Sequence, residues 1–296
     1  MACIVGTRRL RVHDRSCPRR AAGPTMQAMH HAPALSTPAP FGERLRHWRQ
    51  RRRLSQLDLA HAAEVSTRHL SCVETGRASP SRDMVLRLAH RLDVPLRERN
   101  AQLVAAGYAP MYRERPLDAP EMADARAAVQ RILDCHEPWP ALAMDRHWNL
   151  LMANRIVPLL LSGVDAELLQ PPVNVLRLSL HPGGLAPRIA NLAQWRAHLL
   201  ERLRQQIHES SDPVLAALLQ ELQAYPLPPA SPPLPGEHLG VLMPFEFRTP
   251  AGTLQLVSTT TVFGSPVDVT LQELALETFF PADDANAAAL RALAAA

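Results

Sequence analysis

Between residues 41 and 109, apolar side chains recur at helical spacing and short polar turns separate the runs. Leu45 and Trp48 share one face of a first predicted helix, Gly76 ends the third, and Pro95 begins the fifth. A serine hydroxyl at a helix start can accept a hydrogen bond from the free N–H groups of the first turn. Three predicted helices begin in this way, at Ser55, Ser66 and Ser81. The pattern predicts a compact all-α domain of five short helices over 41–109.

A different pattern follows a proline-containing linker at 110–120 and continues to residue 296. Helical spacing predicts helices over 121–136, 154–161, 174–180, 188–209 and 213–224, and an alanine-rich helix at the end of the chain. Strand-like runs occupy 141–144, 148–152, 241–248, 253–263 and 269–279. This order predicts an α+β domain over 121–296, with one antiparallel sheet and helices packed on it.

Residues 1–40 mix Arg, Pro, Ala and His without a period, so we predict a disordered leader there. A proline-rich loop is predicted over 226–235.

The charge of the chain changes sign along its length. All 32 basic residues are arginine, and residues 41–116 hold fifteen of them against eight acids. Residues 117–296 hold eleven arginines against nineteen acids. A GC-rich genome would explain arginine in place of lysine, but it would not explain this asymmetry. The distribution predicts that a polyanionic partner binds the first domain.

Several classes of function lack their sequence signals. The four cysteines, at positions 2, 17, 72 and 135, form no CxxC pair, which predicts a reducing cytoplasmic compartment and no metal site. No run approaches the ~18 apolar residues of a membrane span. The chain has no Gly-x-Ser-x-Gly elbow, HExxH motif or phosphate-binding glycine loop. We therefore predict neither an enzyme nor a cofactor.

The second and third predicted helices divide into an inner and an outer face. The inner face carries Leu59, Ala60, Val65, Leu70 and Val73. The outer face, at the start of the third helix, carries Thr67, Arg68, Ser71 and Cys72. A helix in the DNA major groove needs this division, because its N-terminal outer positions face the base edges. The guanidinium of Arg68 can pair with guanine O6 and N7. Phosphate contacts are predicted for Gln56, Ser66 and Arg77.

This segment resembles the Cro-type, xenobiotic-response-element helix-turn-helix of phage repressors. The resemblance rests on Ser55, Gln56, Leu59, Ala60, Val65, Ser66, Leu70, Glu74, Gly76 and Pro80. It implies that Gln56, Thr67, Arg68 and Cys72 touch DNA. Glu64 departs from the family pattern, which usually has glycine in the turn.

Further segments of the chain resemble the MmyB-like regulators. They are residues 66–71, 95–100, 105–110, 145–149, 172–182 and 279–283. The resemblance implies a PAS-like second domain that binds a small, fatty-acid-like ligand. Apolar cavity-lining candidates are Trp148, Leu150, Leu176, Leu180, Ile189, Trp195, Leu256 and Phe263. Candidate polar residues for binding the ligand are Asn154, Asn174, Arg177 and His181. Each of these residues can equally serve the core, a helix cap or a loop.

Together these features predict a DNA-binding transcription regulator that acts as a homodimer on double-stranded DNA, each subunit reading one half-site. Two alternatives stay open. One is a DNA-bound protein whose second domain recruits a protein partner and binds no ligand. The other is an enzyme with a DNA-targeting head, which the missing catalytic motifs disfavour.

Overall fold

The structure is a computed structural model that describes residues 39–227, 243–250, 252–264 and 267–295. The predicted leader lies outside these residues, apart from its last two positions, and so does most of the predicted proline-rich loop. The described residues belong to one compact unit. No helix within the described ranges combines the length and apolarity needed to cross a membrane.

Five helices form the first domain, called the head: α1 (Phe41–Arg51), α2 (Gln56–Ala62), α3 (Thr67–Glu74), α4 (Arg82–Arg91) and α5 (Leu96–Ala105). The hydroxyls of Ser55, Ser66 and Ser81 accept backbone N–H groups at 3.1, 3.1 and 3.3 Å. The buried core includes Leu45, Leu59, Leu70, Leu88 and Leu103. The predicted all-α domain is confirmed.

The second domain contains a five-stranded antiparallel sheet in the order β2-β1-β5-β4-β3. Its strands are β1 (Ala141–Met144), β2 (Leu150–Ala153), β3 (Pro244–Thr249), β4 (Gly252–Val262) and β5 (Ala275–Pro281). Its helices are α6 (Ala123–Cys135), α7 (Ile156–Leu160), α8 (Val175–Leu180), α9 (Leu192–Ser210), α10 (Pro213–Ala224), α11 (Val269–Glu273) and α12 (Asp284–Ala295). The predicted α+β domain with one antiparallel sheet is confirmed.

Strand β1 is buried on both faces of the sheet. Leu142 and Met144 join a large core with α8, α9 and α10, whereas Ala141 and Ala143 join a smaller core with α6. Successive residues of a strand point to opposite faces, which explains the alternation. Strand β1 is therefore covered on both sides, and the large core lies under α9.

Two predicted strand boundaries are wrong. Residues 269–273 form helix α11, because the Asp268 carboxylate accepts the Thr270 N–H at 2.9 Å and caps a helical turn. Trp148 lies in the turn before β2, with φ at +65°. The Asp145 carboxylate holds that turn by accepting the N–H groups of His147 and Asn149 at 2.8 and 2.9 Å.

The head is joined to the second domain where α5 begins. The Leu96 N–H donates to the Gln272 side chain of α11 at 2.6 Å. Arg97 donates to Glu273 at 2.8 and 2.9 Å, and its guanidinium also pairs with Glu114. The stretch predicted as a linker is packed here as well, since the Val269 N–H donates to the Arg113 carbonyl at 2.8 Å.

Candidate DNA-binding surface and ligand cavity

The start of α3 presents polar side chains on the outside of the head. Leu70 and Val73 are buried on its inner side, Arg68 is exposed, and Thr67, Ser71 and Cys72 are half-buried. The structure thus brings together on one surface the four residues predicted to face bases. Their contacts with DNA remain a prediction.

The three predicted phosphate contacts differ in how they are held. The Ser66 hydroxyl caps α3 by accepting the His69 N–H at 3.1 Å. Arg77 is exposed, and its Nε donates to the Thr75 hydroxyl at 3.0 Å. The Gln56 amide donates to Glu74 at 2.8 Å. Gln56 is therefore positioned by the interior of the head and only half-buried at its surface.

Glu74 is a buried carboxylate. The sequence analysis named it only as one of the residues that carry the family resemblance and assigned it no role. It accepts two hydrogen bonds from Arg49, at 2.6 and 3.0 Å, and the Arg46 guanidinium lies 3.6 Å away. Burial by itself raises the pKa of Glu74, but the hydrogen bonds from Arg49 and Gln56 and the nearby positive charges outweigh it, so the pKa is lowered. The carboxylate fastens α3 to α1 and α2. Its spacing from Leu70 and Val73 is the sequence signal that places it on the inner face.

The turn between α2 and α3 keeps a left-handed backbone although glycine is missing. Glu64 has φ at +55°, and its neighbour Val65 donates to the Ala60 carbonyl at 2.9 Å. The departure from the family pattern therefore places a residue with a side chain in a left-handed, strained conformation.

Replacing Glu64 with glycine will raise the stability of the head by roughly 0.5–1 kcal/mol, because relief of the left-handed strain exceeds the entropic cost of glycine. Hydrogen exchange of head amides in the full chain measures the change. Glu43→Gly, in the exposed first turn of α1, is the matched control and will lower stability. An equal loss in both variants would contradict the strain argument.

An apolar cavity of about 100 Å³ lies between the sheet and α7, α8 and α9. Five of the predicted lining residues surround it, namely Trp148, Leu150, Leu176, Trp195 and Leu256, together with Phe245 and Phe279. Leu180 and Ile189 belong to the same core but do not line the cavity. Its volume is below the ~150 Å³ of an apolar cavity known to accept benzene.

Phe263 does not line this cavity and packs against the smaller core on the other face of the sheet. It lies one residue after the end of β4, beyond the part of that strand that lines the cavity. The prediction that Phe263 lines the cavity is therefore corrected.

Two of the four predicted polar anchors hold loops and helix ends instead of facing the cavity. The Asn154 amide donates to the Trp139 carbonyl at 2.7 Å, and its oxygen accepts from Ala141 and Ile156. The Asn174 oxygen caps α8, and its amide donates to the His147 carbonyl at 2.8 Å. Neither side chain lines the cavity.

The other two predicted anchors also point elsewhere. Arg177 donates to Glu221 at 2.7 and 2.8 Å, outside the cavity. His181 Nδ1 accepts the Gly183 N–H at 3.0 Å, and the ring meets Tyr225 edge to face. His181 is satisfied within its own turn, whereas Arg177 is paired with a carboxylate 44 positions away. The sequence pattern alone could not separate either role from ligand binding.

The polar lining residues of the cavity are Ser179 and Glu277. Glu277 is buried and pairs with Arg202 of α9 at 3.1 and 3.2 Å. The Arg202 guanidinium also lies 4.8 Å from the centre of the Trp148 ring. Sequence reasoning missed Glu277, because an acid between apolar neighbours of a strand is typical of a solvent-facing position.

Two family models match the chain. A model described as a helix-turn-helix domain matches residues 40–102, and one described as MmyB-like transcription regulator ligand binding domain matches residues 125–293. No curated protein matches the chain at a significant level. The first match covers nearly all of the head, and the second covers most of the α+β domain.

Proposed function

Because the chain belongs to the MmyB-like transcription regulators and carries a helix-turn-helix domain, it is a DNA-binding transcription regulator, and we propose that a small ligand in its second domain controls its binding to DNA. The proposal places DNA on the outer face of α3 and the ligand in the cavity under α9. It also places the protein in the cytoplasm, where the DNA is, and assigns it no catalytic activity.

One observation carries the DNA-binding site: the first turns of α3 expose Arg68 beside Thr67, Ser71 and Cys72, while the opposite side of the helix is buried. In a helix-turn-helix this end of the recognition helix enters the major groove. Gln56, Ser66 and Arg77 flank it and supply phosphate contacts in the proposal. The excess of arginine in the head adds long-range attraction to the duplex.

Arg68→Ala will weaken binding to the specific site by on the order of 1–3 kcal/mol and relax preference at one base pair. The site is first obtained by a genome-wide pull-down and then titrated at fixed salt. Arg131→Ala, at an exposed position on α6, is the control and will leave affinity unchanged. Unaltered affinity and selectivity in the Arg68 variant would remove Arg68 from the base-reading set.

A homodimer is part of the proposal. Two copies would place their α3 helices about 34 Å apart on a pseudo-palindromic site, one turn of the duplex. Analytical ultracentrifugation of the protein with its DNA fragment distinguishes one copy from two.

The ligand proposal rests on the apolar cavity and its two tryptophans. We assign it a small apolar ligand of the fatty-acid type, in a PAS-like domain, supported by the five-stranded antiparallel sheet with helices over its face. A ligand changes DNA affinity only if it binds one arrangement of the protein better than another. Mass spectrometry of molecules extracted from the purified protein tests for the ligand, and equal DNA affinity with and without it at saturation would dismiss its control.

The alternative is a second domain that recruits a protein partner and has no ligand. An empty cavity in extracted protein, together with DNA affinity unaffected by small molecules, would favour that alternative. The buried, almost wholly apolar lining favours the ligand instead, because a protein partner needs an exposed surface.

A further inference from the structure

The cavity must enlarge to hold an alkyl chain, and its walls differ in their freedom to move. Strands β1, β3, β4 and β5 are fastened to each other by hydrogen bonds along their lengths. Trp148 instead lies in the turn between β1 and β2. It lines both the cavity and an open cleft of about 870 Å³, whose other side includes Trp48 and Pro95 of the head. Trp148 therefore borders both the cavity and the cleft, as does Met144, which is fixed in strand β1.

The backbone does not favour the position of Trp148. Its φ of +65° lies in the left-handed region, which residues with a bulky side chain rarely adopt. Asp145 and the Val175 N–H hold the backbone of this turn by hydrogen bonds. The ring is held by side chains: the indole N–H donates to Gln206 at 2.7 Å, and the Arg202 guanidinium lies over the ring. Loss of these side-chain contacts would free the ring to rotate away from the cavity while the backbone of the turn stays held.

The same turn reaches the joint between the two domains. The Gln206 amide that accepts the Trp148 indole N–H also donates to the Arg146 carbonyl at 2.7 Å. The Arg146 guanidinium lies 3.8 Å from the Glu273 carboxylate, which in turn accepts two hydrogen bonds from Arg97 at the start of α5. Trp148 and the head are thus connected through consecutive contacts, in which Gln206 binds the Arg146 backbone and the Arg146 side chain lies near Glu273. The same guanidinium also pairs with Asp212 at 3.0 Å.

We propose that Trp148 is the movable wall through which an alkyl chain passes from the cleft into the cavity, and that its displacement withdraws Arg146 from Glu273 and loosens the attachment of the head. The inference rests on the proposed function, in which the cavity holds a ligand. It identifies the ligand class as a chain longer than the cavity, with its apolar end inside and its other end in the cleft. Ligand binding then changes the position of α5, and through it the DNA affinity.

The first experiment measures entry of cis-parinaric acid into the full chain by stopped flow, using the rise in probe fluorescence in an apolar site. Trp148→Ala will speed association at least tenfold. Gln206→Met keeps the side-chain volume and removes both hydrogen bonds, so it will also speed association while keeping the fold. Gln220→Met changes an exposed glutamine of α10 that lines neither the cavity nor the cleft, and it is the matched control, with the wild-type rate.

The second experiment measures DNA affinity with and without saturating cis-parinaric acid. In the wild type the probe will change the affinity at least fivefold, in the range of ordinary allosteric coupling. Arg146→Met is compared at a probe concentration that saturates the variant itself, and its DNA affinity will change less than twofold.

The outcomes separate this inference from the proposed function. If neither the wild type nor Trp148→Ala takes up the probe, both are wrong. If the wild type takes up the probe and responds in DNA affinity, but the Trp148 and Gln206 variants enter at the wild-type rate or Arg146→Met keeps the full response, only this inference is wrong. Uptake by the wild type without any change in DNA affinity would also overturn the coupling.

Discussion

Replacing Glu74 with alanine will lower the free energy of unfolding of the head by about 3–5 kcal/mol, the range for breaking one side of a buried ion pair. The Glu74 side chain has no solvent exposure, and that of its partner Arg49 is only 11% exposed. Without the carboxylate, the Arg49 guanidinium would stay buried without its counter-charge, and Gln56 would lose its acceptor. Because both contacts fasten α3, the variant will also lose most of its DNA affinity. Hydrogen exchange of head amides and a DNA titration measure the two effects.

Two comparisons make this prediction specific. Glu43→Ala, at an exposed position of α1, will cost less than about 1 kcal/mol. Since the pKa of Glu74 is lowered by folding, its contribution is present above the ordinary glutamate pKa and is lost as the pH falls through the folded-state value. On acidification the wild-type head will therefore lose more stability than the Glu74→Ala head, because only the wild type has the Glu74 contribution to lose. Equal stability of Glu74→Ala and Glu43→Ala at neutral pH would refute the role of the buried carboxylate.

Glu277→Ala will destabilise the second domain by about 2–3 kcal/mol. The figure is below the full range for a buried pair because the Arg202 side chain is 23% exposed and keeps some water. The carboxylate neutralises Arg202 at the wall of the cavity, so its loss leaves a positive charge beside Trp148 without its partner. Denaturant unfolding, with hydrogen exchange of the α9 and β5 amides as the readout, measures the loss of stability.

A double-mutant cycle tests whether the effect comes from the pair. Replacing Glu277 and Arg202 together with leucine will restore stability to near that of the wild type, because apolar residues of similar volume avoid the desolvation cost of both charges. Glu201→Ala breaks an exposed pair on the same helix, with side chains 46% and 59% exposed, and will cost less than about 0.5 kcal/mol. A double variant as unstable as Glu277→Ala would show that the loss arises elsewhere.

The head could be predicted almost completely because its signals are local. Each capping serine lies three residues before the N–H that it accepts. The inner positions of α3 repeat at the helical period, so Leu70 and Val73 could be placed inside and Arg68 outside from spacing alone. The left-handed turn was also predictable in position, although Glu64 occupies it in place of glycine.

The second domain could be predicted less well, for two physical reasons. Val269 begins a run that is apolar enough for a strand, and the single cap at Asp268 turned its first part into a helix. The polar side chains of Asn154 and Asn174 could equally serve a loop, a helix cap or a ligand site. In the structure both form hydrogen bonds with backbone groups.

The sequence by itself determined the five-helix head, the outward-facing polar surface at the start of α3 and the presence of one antiparallel sheet, because capping, turn chemistry and periodicity act within a few residues. Only the tertiary structure decided that Glu277 meets Arg202, 75 positions away along the chain, and that Arg97 meets Glu273, 176 positions away. Whether a charge is buried, and which charge compensates it, depends on which elements pack together. No local pattern encodes that choice, and so the cavity wall and the joint to the head emerged only from the packed fold.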